Sequence, residues 1–301
     1  MATTATQNPA SSGQPMAESS TSAAAAAAVY QRLHPDSYLS RYLAKDYRPD
    51  GRTVKQWRDV SINAGSISTA EGSALVRMGE TTIVCGIKAE VAEPNTSTPE
   101  EGFVVPNVDL PAICSPKFKP GPPGDEAQTL SNWLNDLIVS SQTLPTSSLC
   151  IRPGKAVWAI YIDVVCINYD GNAFDATVLA VMAALRNTRL PRANWNDETS
   201  KVVCVRDETY PLPLGRIPLS CSFGIFRSSY LLPDPTSFEA PLLPTTLTIA
   251  LDEQSRGYLV RNEGLGGVTG QSGEKIVAEA WALAEKRAKE LREILQDSVA
   301  A

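Results

Sequence analysis

Residues 156–187 read AVWAIYIDVVCINYDGNAFDATVLAVMAALRN, two apolar segments joined by a short polar turn. The first segment, 156–168, is a long apolar run that predicts a buried strand, and the second, 173–187, predicts a helix. Two carboxylates, Asp170 and Asp175, flank the turn. The stretch therefore predicts a strand, a tight turn and a helix, and it raises the question whether the turn is an active site.

The entrance of this predicted helix is a possible anion site, because the first N–H groups of a helix have no partner within it. Asp175, however, lies in the first helical turn and already supplies the negative charge that the helix dipole favours. An incoming phosphate would meet a repulsion of order 1 to 4 kcal/mol at about 4 Å, depending on the effective dielectric. Phe174 beside it carries no charge. The turn is predicted to be well formed but unsuited to phosphate.

Segments on either side of this stretch predict an α+β protein, because strands, helices, further strands and a last helix follow in that order. Glycine-punctuated strand runs occupy 55–94, and a helix is expected around 124–143. More strand runs lie within 219–264 before a long amphipathic C-terminal helix over about 273–297. Its apolar seam consists of Val277, Trp281, Ala284, Ala288, Leu291 and Leu295. A short amphipathic helix is also expected from Ser37.

Residues 106–123 contain six prolines, too many for a helix or a central strand, and predict an extended loop. Within it Lys117 and Lys119 flank Phe118, an arrangement that can contact phosphates or stack a base. A solvated loop with a packed Phe118 explains the same residues equally well. The two lysines are the RNA-binding candidates of this sequence.

The ends of the chain carry little chemistry. Residues 1–29 are rich in Ala, Ser and Thr, with Glu18 as their one charge, and predict a disordered tail ahead of a single domain over 30–301. The glycine-rich 264–270 resembles a dinucleotide-binding loop, but a single helix follows it, so a flexible helix entry is the better interpretation.

Composition excludes several classes of function. The 27 basic and 33 acidic residues give a net charge of −6, so nucleic-acid contact requires a local patch. His34 is the single histidine, which argues against histidine-based nucleophilic catalysis and zinc sites. No metal or cofactor is therefore expected. No apolar run predicts a membrane span, and no secretory signal is visible. Six scattered cysteines suggest reduced thiols and an intracellular compartment.

Five motifs together resemble the RNase PH family. They are RPDGR (48–52), GSISTAEGSALVRMGETTIVCGIKAEV (65–91), VVPNVDLP (104–111), FKPGPPGDEAQ (118–128) and IRPGKAVWAIYIDVVCINYDGNAFDA (151–176). The resemblance covers about residues 36–297. Within the family, the motifs most resemble the non-catalytic branch that builds the ring of the eukaryotic RNA exosome. It implies an RNase PH-like fold of mixed and antiparallel sheets packed with helices.

The resemblance also implies that the turn has lost its phosphate site. In phosphorolytic members this turn reads Asp-x-Gly-Gly-Thr-Arg or close to it. Asp170 and Gly171 match, whereas Asn172 replaces the second glycine, Ala173 the hydroxyl and Phe174 the arginine. Losing the positive clamp removes the main electrostatic contribution to phosphorolysis.

Two further departures point the same way. Active members carry an aspartate just before the strand that here reads LPTTLTIALDE, where Thr245 or Thr246 stands. Asp252 and Glu253 follow that strand and are expected to point elsewhere. Archaeal relatives of the branch place RNA-gripping arginines in the helix after GPPGDEA, where this chain has Asn132, Asp136 and Val139. No catalytic residue is therefore assigned.

The function implied is that of a structural subunit of a six-membered RNase PH-like ring. Its implied partners are other ring subunits, cap subunits with OB-fold and KH domains, a hydrolytic 3′-to-5′ ribonuclease and single-stranded RNA in the channel, with no membrane. The pathway is processing and decay of ribosomal and messenger RNA in nucleus, nucleolus and cytoplasm. Two alternatives stay open: a phosphorolytic exoribonuclease with a composite inter-subunit site, and a free-standing RNA-binding module, which the acidic balance disfavours.

Overall fold

A computed structural model describes residues 16–199, 201–227, 229–264 and 270–300. The chain divides into two compact units, one ending at Thr53 and the other beginning at Val54. The described part of the first unit contains two helices, α1 (Met16–Leu33) and α2 (Pro35–Leu43). The second unit contains the strands and the other three helices.

A six-stranded mixed sheet forms one layer of the second unit. Its strands are β1 (Val60–Ala64), β2 (Gly72–Met78), β3 (Thr81–Ala92), β4 (Phe103–Asp109), β5 (Cys150–Arg152) and β6 (Ala156–Asn168). The order is β1-β2-β3-β6-β4, with β5 also paired to β6. Strand β4 runs parallel to β6 and the other pairs are antiparallel.

A two-stranded ribbon and a four-stranded sheet follow along the chain. The ribbon consists of β7 (Arg189–Asn196) and β8 (Lys201–Pro211). The second sheet has the order β10-β9-β11-β12 and is antiparallel. Its strands are β9 (Leu219–Phe226), β10 (Tyr230–Pro233), β11 (Thr245–Leu251) and β12 (Gly257–Gly264).

The helices of the second unit are α3 (Asp125–Ser141), α4 (Ala173–Asn187) and α5 (Gly270–Ala300). Helix α4 contacts β2 and β3 of the first sheet and β9 of the second, and every residue from Ala173 to Leu185 is buried. Its alanines allow strands to approach on several sides, while each fully buried Leu, Val or Met contributes about 1.5–3 kcal/mol. The strand-turn-helix stretch therefore lies at the centre of the core.

The structure confirms the α+β class and the main elements expected from the sequence. Strand β6 and helix α4 have the predicted bounds, and α3 and α5 lie within three residues of theirs. On α5 the seam residues Ala284, Ala288, Leu291 and Leu295 are buried. All six cysteines are free thiols, as expected.

Other expectations need correction. Residues 106–109 were expected in a loop but belong to β4, because Pro106 lies on an edge strand, where the missing N–H costs no ladder bond. Helix α2 begins at Pro35 rather than Ser37, since proline fits the first helical turn. The ribbon β7–β8 was not expected at all.

At the N-terminus, helix α1 covers the later part of the segment expected to be a tail. Residues 1–15 lie outside the described part of the chain, and the boundary at residue 30 stays a prediction. The glycine-rich residues 265–269 are outside it as well. Among the described helices, none is long and apolar enough to cross a membrane.

Candidate functional site

The turn between β6 and α4 is built on left-handed backbone. Gly171 has φ +77° and Asn172 has φ +48°, conformations that glycine and asparagine tolerate best. A Cβ at Gly171 would lie 2.6 Å from the carbonyl oxygen of Pro235 and 2.7 Å from the nitrogen of Ser237. Only glycine fits here, and the backbone of 235–237 covers this side of the turn.

Arg58 binds the turn and Asp234 through all three nitrogens of its guanidinium group. Its Nε and one Nη donate to the two carboxylate oxygens of Asp234 at 2.7 and 2.6 Å. The other N–H groups donate to the carbonyl oxygens of Asp170 (2.8 Å) and Gly171 (3.3 Å) and to Oγ1 of Thr81 (3.3 Å). All five N–H groups therefore have acceptors within the protein.

This guanidinium is a buried cation. Its side chain is 6 % exposed and that of Asp234 is 0 % exposed. Burial alone would lower the pKa of Arg58, but the hydrogen bonds and negative charge of Asp234 outweigh it and raise the pKa. Arg58 therefore stays charged, and its guanidinium forms a buried ion pair with Asp234.

Asp175 fastens the helix entrance to the second sheet. Its Oδ2 accepts from the backbone N–H of Ser222 at 2.6 Å, and its Oδ1 accepts from the Ser222 hydroxyl at 2.9 Å. Asn172 Nδ2 donates to Asp175 at 2.8 Å and to Asp234 at 2.7 Å. Burial raises the pKa of Asp175. The carboxylate is a structural link between α4 and β9.

Asp170 is the third carboxylate at the turn. It accepts from the hydroxyl of Ser237 at 2.6 Å, and its own N–H donates to Thr81 Oγ1 at 3.1 Å. Thr81 in turn donates to the carbonyl oxygen of Gly171 at 2.9 Å. The three carboxylates give the turn a field that repels anions. Even so, the described residues include no group of His, Cys, Asp or Glu side chains arranged to hold a metal ion.

Phe174 points into the core. Its side chain is 4 % exposed, and its ring packs edge-on against Trp133 of α3, with centroids 5.6 Å apart at 84°. The guanidinium of Arg261 covers Trp133 at 4.1 Å from the ring centroid. The position at which phosphorolytic relatives are expected to carry arginine therefore holds part of the α3–α4 contact.

The start of β11, where an aspartate was expected in active members, carries no acid. Thr245 and Thr246 are the first two residues of this strand. Asp252 lies in the turn after β11, where backbone N–H groups of Gln254 and Arg256 donate to it at 2.8 and 2.9 Å. The Asp252 carboxylate therefore stabilises its own turn and takes no part in the β6–α4 turn.

Sequence reasoning missed Asp234 and Arg58. Asp234 follows β10 and reaches the turn from there, and it is separated from Arg58 by 176 positions. No local pattern reveals a pair so distant in the chain. The one signal available was an aspartate between two prolines, Pro233 and Pro235, at the end of an apolar run.

The two candidate RNA-binding lysines lie beside a cleft of about 570 Å³. Lys117 forms an ion pair with Glu126 and lies 5.3 Å from the ring centroids of Phe118 and Tyr169. Lys119 is exposed. Lys117 is thus partly engaged within the protein, and the role of both residues in RNA contact stays a prediction.

The solvent-facing side of α3 is not cationic. Asn132, Asp136 and Val139 are exposed there, and Val139 is 66 % exposed. The last turn of the helix has no basic residue. This face offers no positive side chain to a phosphate backbone.

The chain is similar to known proteins in sequence and in fold. Residues 56–191 match the RNase PH family model, described as the 3′ exoribonuclease family, domain 1. The exosome complex component rrp43 of Schizosaccharomyces pombe is 45 % identical over 224 residues, which are 74 % of this chain and 83 % of that protein. The chain therefore belongs to the RNase PH family, as the motifs suggested.

Archaeal proteins are similar over a longer span. The exosome complex component Rrp42 of Thermococcus gammatolerans is 39 % identical over 257 residues, covering 85 % of this chain and 92 % of that protein. A chain of the Archaeoglobus fulgidus exosome, solved with RNA bound to the active site, has a TM-score of 0.75 at 32 % identity. That match covers 86 % of this chain and 96 % of the other.

Proposed function

We propose that this chain is a structural, non-catalytic subunit of the RNase PH-like ring of an RNA exosome. Relatives that match most of its length are exosome components, and exosome cores share its fold. In the ring it supports 3′-to-5′ processing and degradation of RNA, in rRNA maturation and mRNA decay. It does so by helping to channel single-stranded RNA to a separate nuclease.

The observation that carries the non-catalytic part is the occupation of the α4 entrance by the protein's own groups. Phosphorolysis brings phosphate against a phosphodiester and requires a cation with available N–H groups. At this turn the N–H groups of Arg58 are bound to protein acceptors. Phe174 is buried, and Asp175 adds negative charge. An anion would find repulsion and no donor side chain from these residues.

The partners and location proposed follow from the resemblance. The chain would contact other RNase PH-like subunits, OB-fold and KH cap subunits and a hydrolytic 3′-to-5′ ribonuclease, in nucleus, nucleolus and cytoplasm. Its net charge of −6 favours a role within an assembly over that of an independent RNA-binding module.

Native purification of the tagged full-length chain tests this function. We expect it to bring down other RNase PH-like subunits in equal amounts, together with cap and nuclease subunits identified by mass. The purified chain alone should release no nucleoside diphosphate from oligoadenylate and phosphate above a phosphate-free control. Purification as a free monomer would contradict the ring assignment.

A composite phosphorolytic site is the second candidate, because Asp170 and Gly171 keep the first part of the family motif. A neighbouring subunit would have to supply the cation that Phe174 lacks. This candidate predicts that the assembled ring releases nucleoside diphosphates in a phosphate-dependent manner and that Asp170→Ala in this subunit abolishes the release. Release that is unchanged by Asp170→Ala would come from another subunit and leave the structural role intact.

A further inference from the structure

The first unit contains a cleft to which no residue of the β6–α4 turn contributes. It lies between α1 and α2 and has a volume of about 750 Å³. Its lining is formed by small and aromatic residues and two cations: Ala26, Ala27, Tyr30, Tyr38, Arg41, Tyr42, Ala44 and Lys45.

The three tyrosines pack on one another. Ring centroids of Tyr30 and Tyr38 are 6.3 Å apart, and those of Tyr38 and Tyr42 are 4.9 Å apart. Arg41 lies over the ring of Tyr30 at 4.8 Å. The two pairs of rings are tilted at 54° and 48°, so the tyrosines form one irregular apolar surface and not a flat stacking platform. Such a surface suits aliphatic or proline side chains, whereas a nucleobase stacks best on a flat, accessible ring face.

The charge of the lining is positive. Arg41 and Lys45 line the cleft, and the described part of its lining contains no carboxylate. Among the described residues, neither cation forms an ion pair. Exposed apolar side chains lie on the same two helices, with Val29 55 %, Leu33 68 % and Tyr42 37 % exposed. An apolar surface with unpaired cations is complementary to an acidic, partly apolar ligand.

We propose that this cleft binds a linear acidic peptide segment of a partner protein. An apolar side chain of the peptide packs against the tyrosine rings, and flanking carboxylates pair with Arg41 and Lys45. Such pairing with an arginine is bidentate and selects an acidic sequence. RNA is the less suitable ligand, because two cations neutralise few phosphates on a chain of net charge −6. This inference goes beyond ring membership and stands independently of it.

The test selects peptides on the full-length chain from a phage-displayed library of random linear peptides. We expect the selected peptides to be enriched in Asp and Glu next to Leu or Pro. Arg41→Gln and Tyr42→Ala should each weaken binding about tenfold or more, and added salt should weaken it further. Lys45→Gln, a milder change at an exposed side chain, should also weaken it.

Matched variants separate the cleft from the rest of the unit. Arg32→Gln removes an exposed cation of α1 that does not line the cleft. Tyr47→Ala removes an exposed tyrosine that does not line it either. Both should bind selected peptides like the unaltered chain. The proposal is wrong if the peptides show no acidic enrichment or bind Arg41→Gln equally well. It is also wrong if oligouridylate displaces them and is itself bound through Arg41 and Tyr42.

Discussion

Replacing Arg58 by methionine should lower the free energy of unfolding by about 3–5 kcal/mol, the usual cost of breaking a buried ion pair. Asp234 loses two hydrogen bonds at 2.7 and 2.6 Å from the guanidinium. The carbonyl oxygens of Asp170 and Gly171 lose their donors at the same time. Methionine keeps the apolar stem of the side chain and lacks the guanidinium, so the loss reports mainly the charge and the hydrogen bonds. Urea unfolding of the full-length chain measures it.

Arg77→Met is the control for this change. Arg77 pairs with Glu80 on the surface, with side chains 56 % and 69 % exposed, and such pairs contribute about 0–1 kcal/mol. If Arg58→Met were as mild as Arg77→Met, the guanidinium would not hold the turn together. The hydrogen bonds of Arg58 to the protein would then be too weak to keep this cation from phosphate.

Phe174→Arg reintroduces the cation that phosphorolytic relatives carry, and we expect it to destabilise the chain without creating a phosphate site. The ring is 4 % exposed and packs on Trp133 at 5.6 Å. Removing a buried phenyl group costs about 3–5 kcal/mol, and burying an unpaired guanidinium adds to it. Thermal unfolding with and without added phosphate measures both effects.

Val139→Arg is the matched control, because it places the same side chain at a 66 % exposed position of α3. Its effect should lie within about 0.5 kcal/mol of zero. A stable Phe174→Arg variant whose melting temperature rises with phosphate, while Val139→Arg shows no rise, would mean that a single substitution restores the site. The turn would then be only one residue away from phosphate binding.

The parts of the fold that follow from local pattern were predictable. The long apolar run of β6 and the spacing of apolar residues in α3 and α5 gave those elements to within a few residues. The ribbon β7–β8 was missed because its two strands give a weak pattern. Pro191 interrupts the alternation of apolar and polar residues in β7, and β8 combines an apolar run at 202–205 with a charged run at 206–208. An alanine-rich segment such as α1 carries no core-facing pattern either.

The site divides in the same way. The loss of charge at Phe174 and the repulsion by Asp175 could be inferred from residues adjacent in sequence. The use of Arg58 could not, since its partners Asp170 and Asp234 are 112 and 176 positions away. Sequence identifies the missing cation of the motif, but only the packing of distant segments shows that a nearby guanidinium is already occupied.

Tungstate, a heavy-atom mimic of phosphate, provides the most direct measurement. A crystal of the full-length chain soaked in tungstate should show no anomalous peak within hydrogen-bonding distance of the backbone nitrogens of residues 171–176. A well-ordered peak there, with Arg58 or another cation turned toward it, would contradict the claim that this helix entrance has no room and no charge for phosphate.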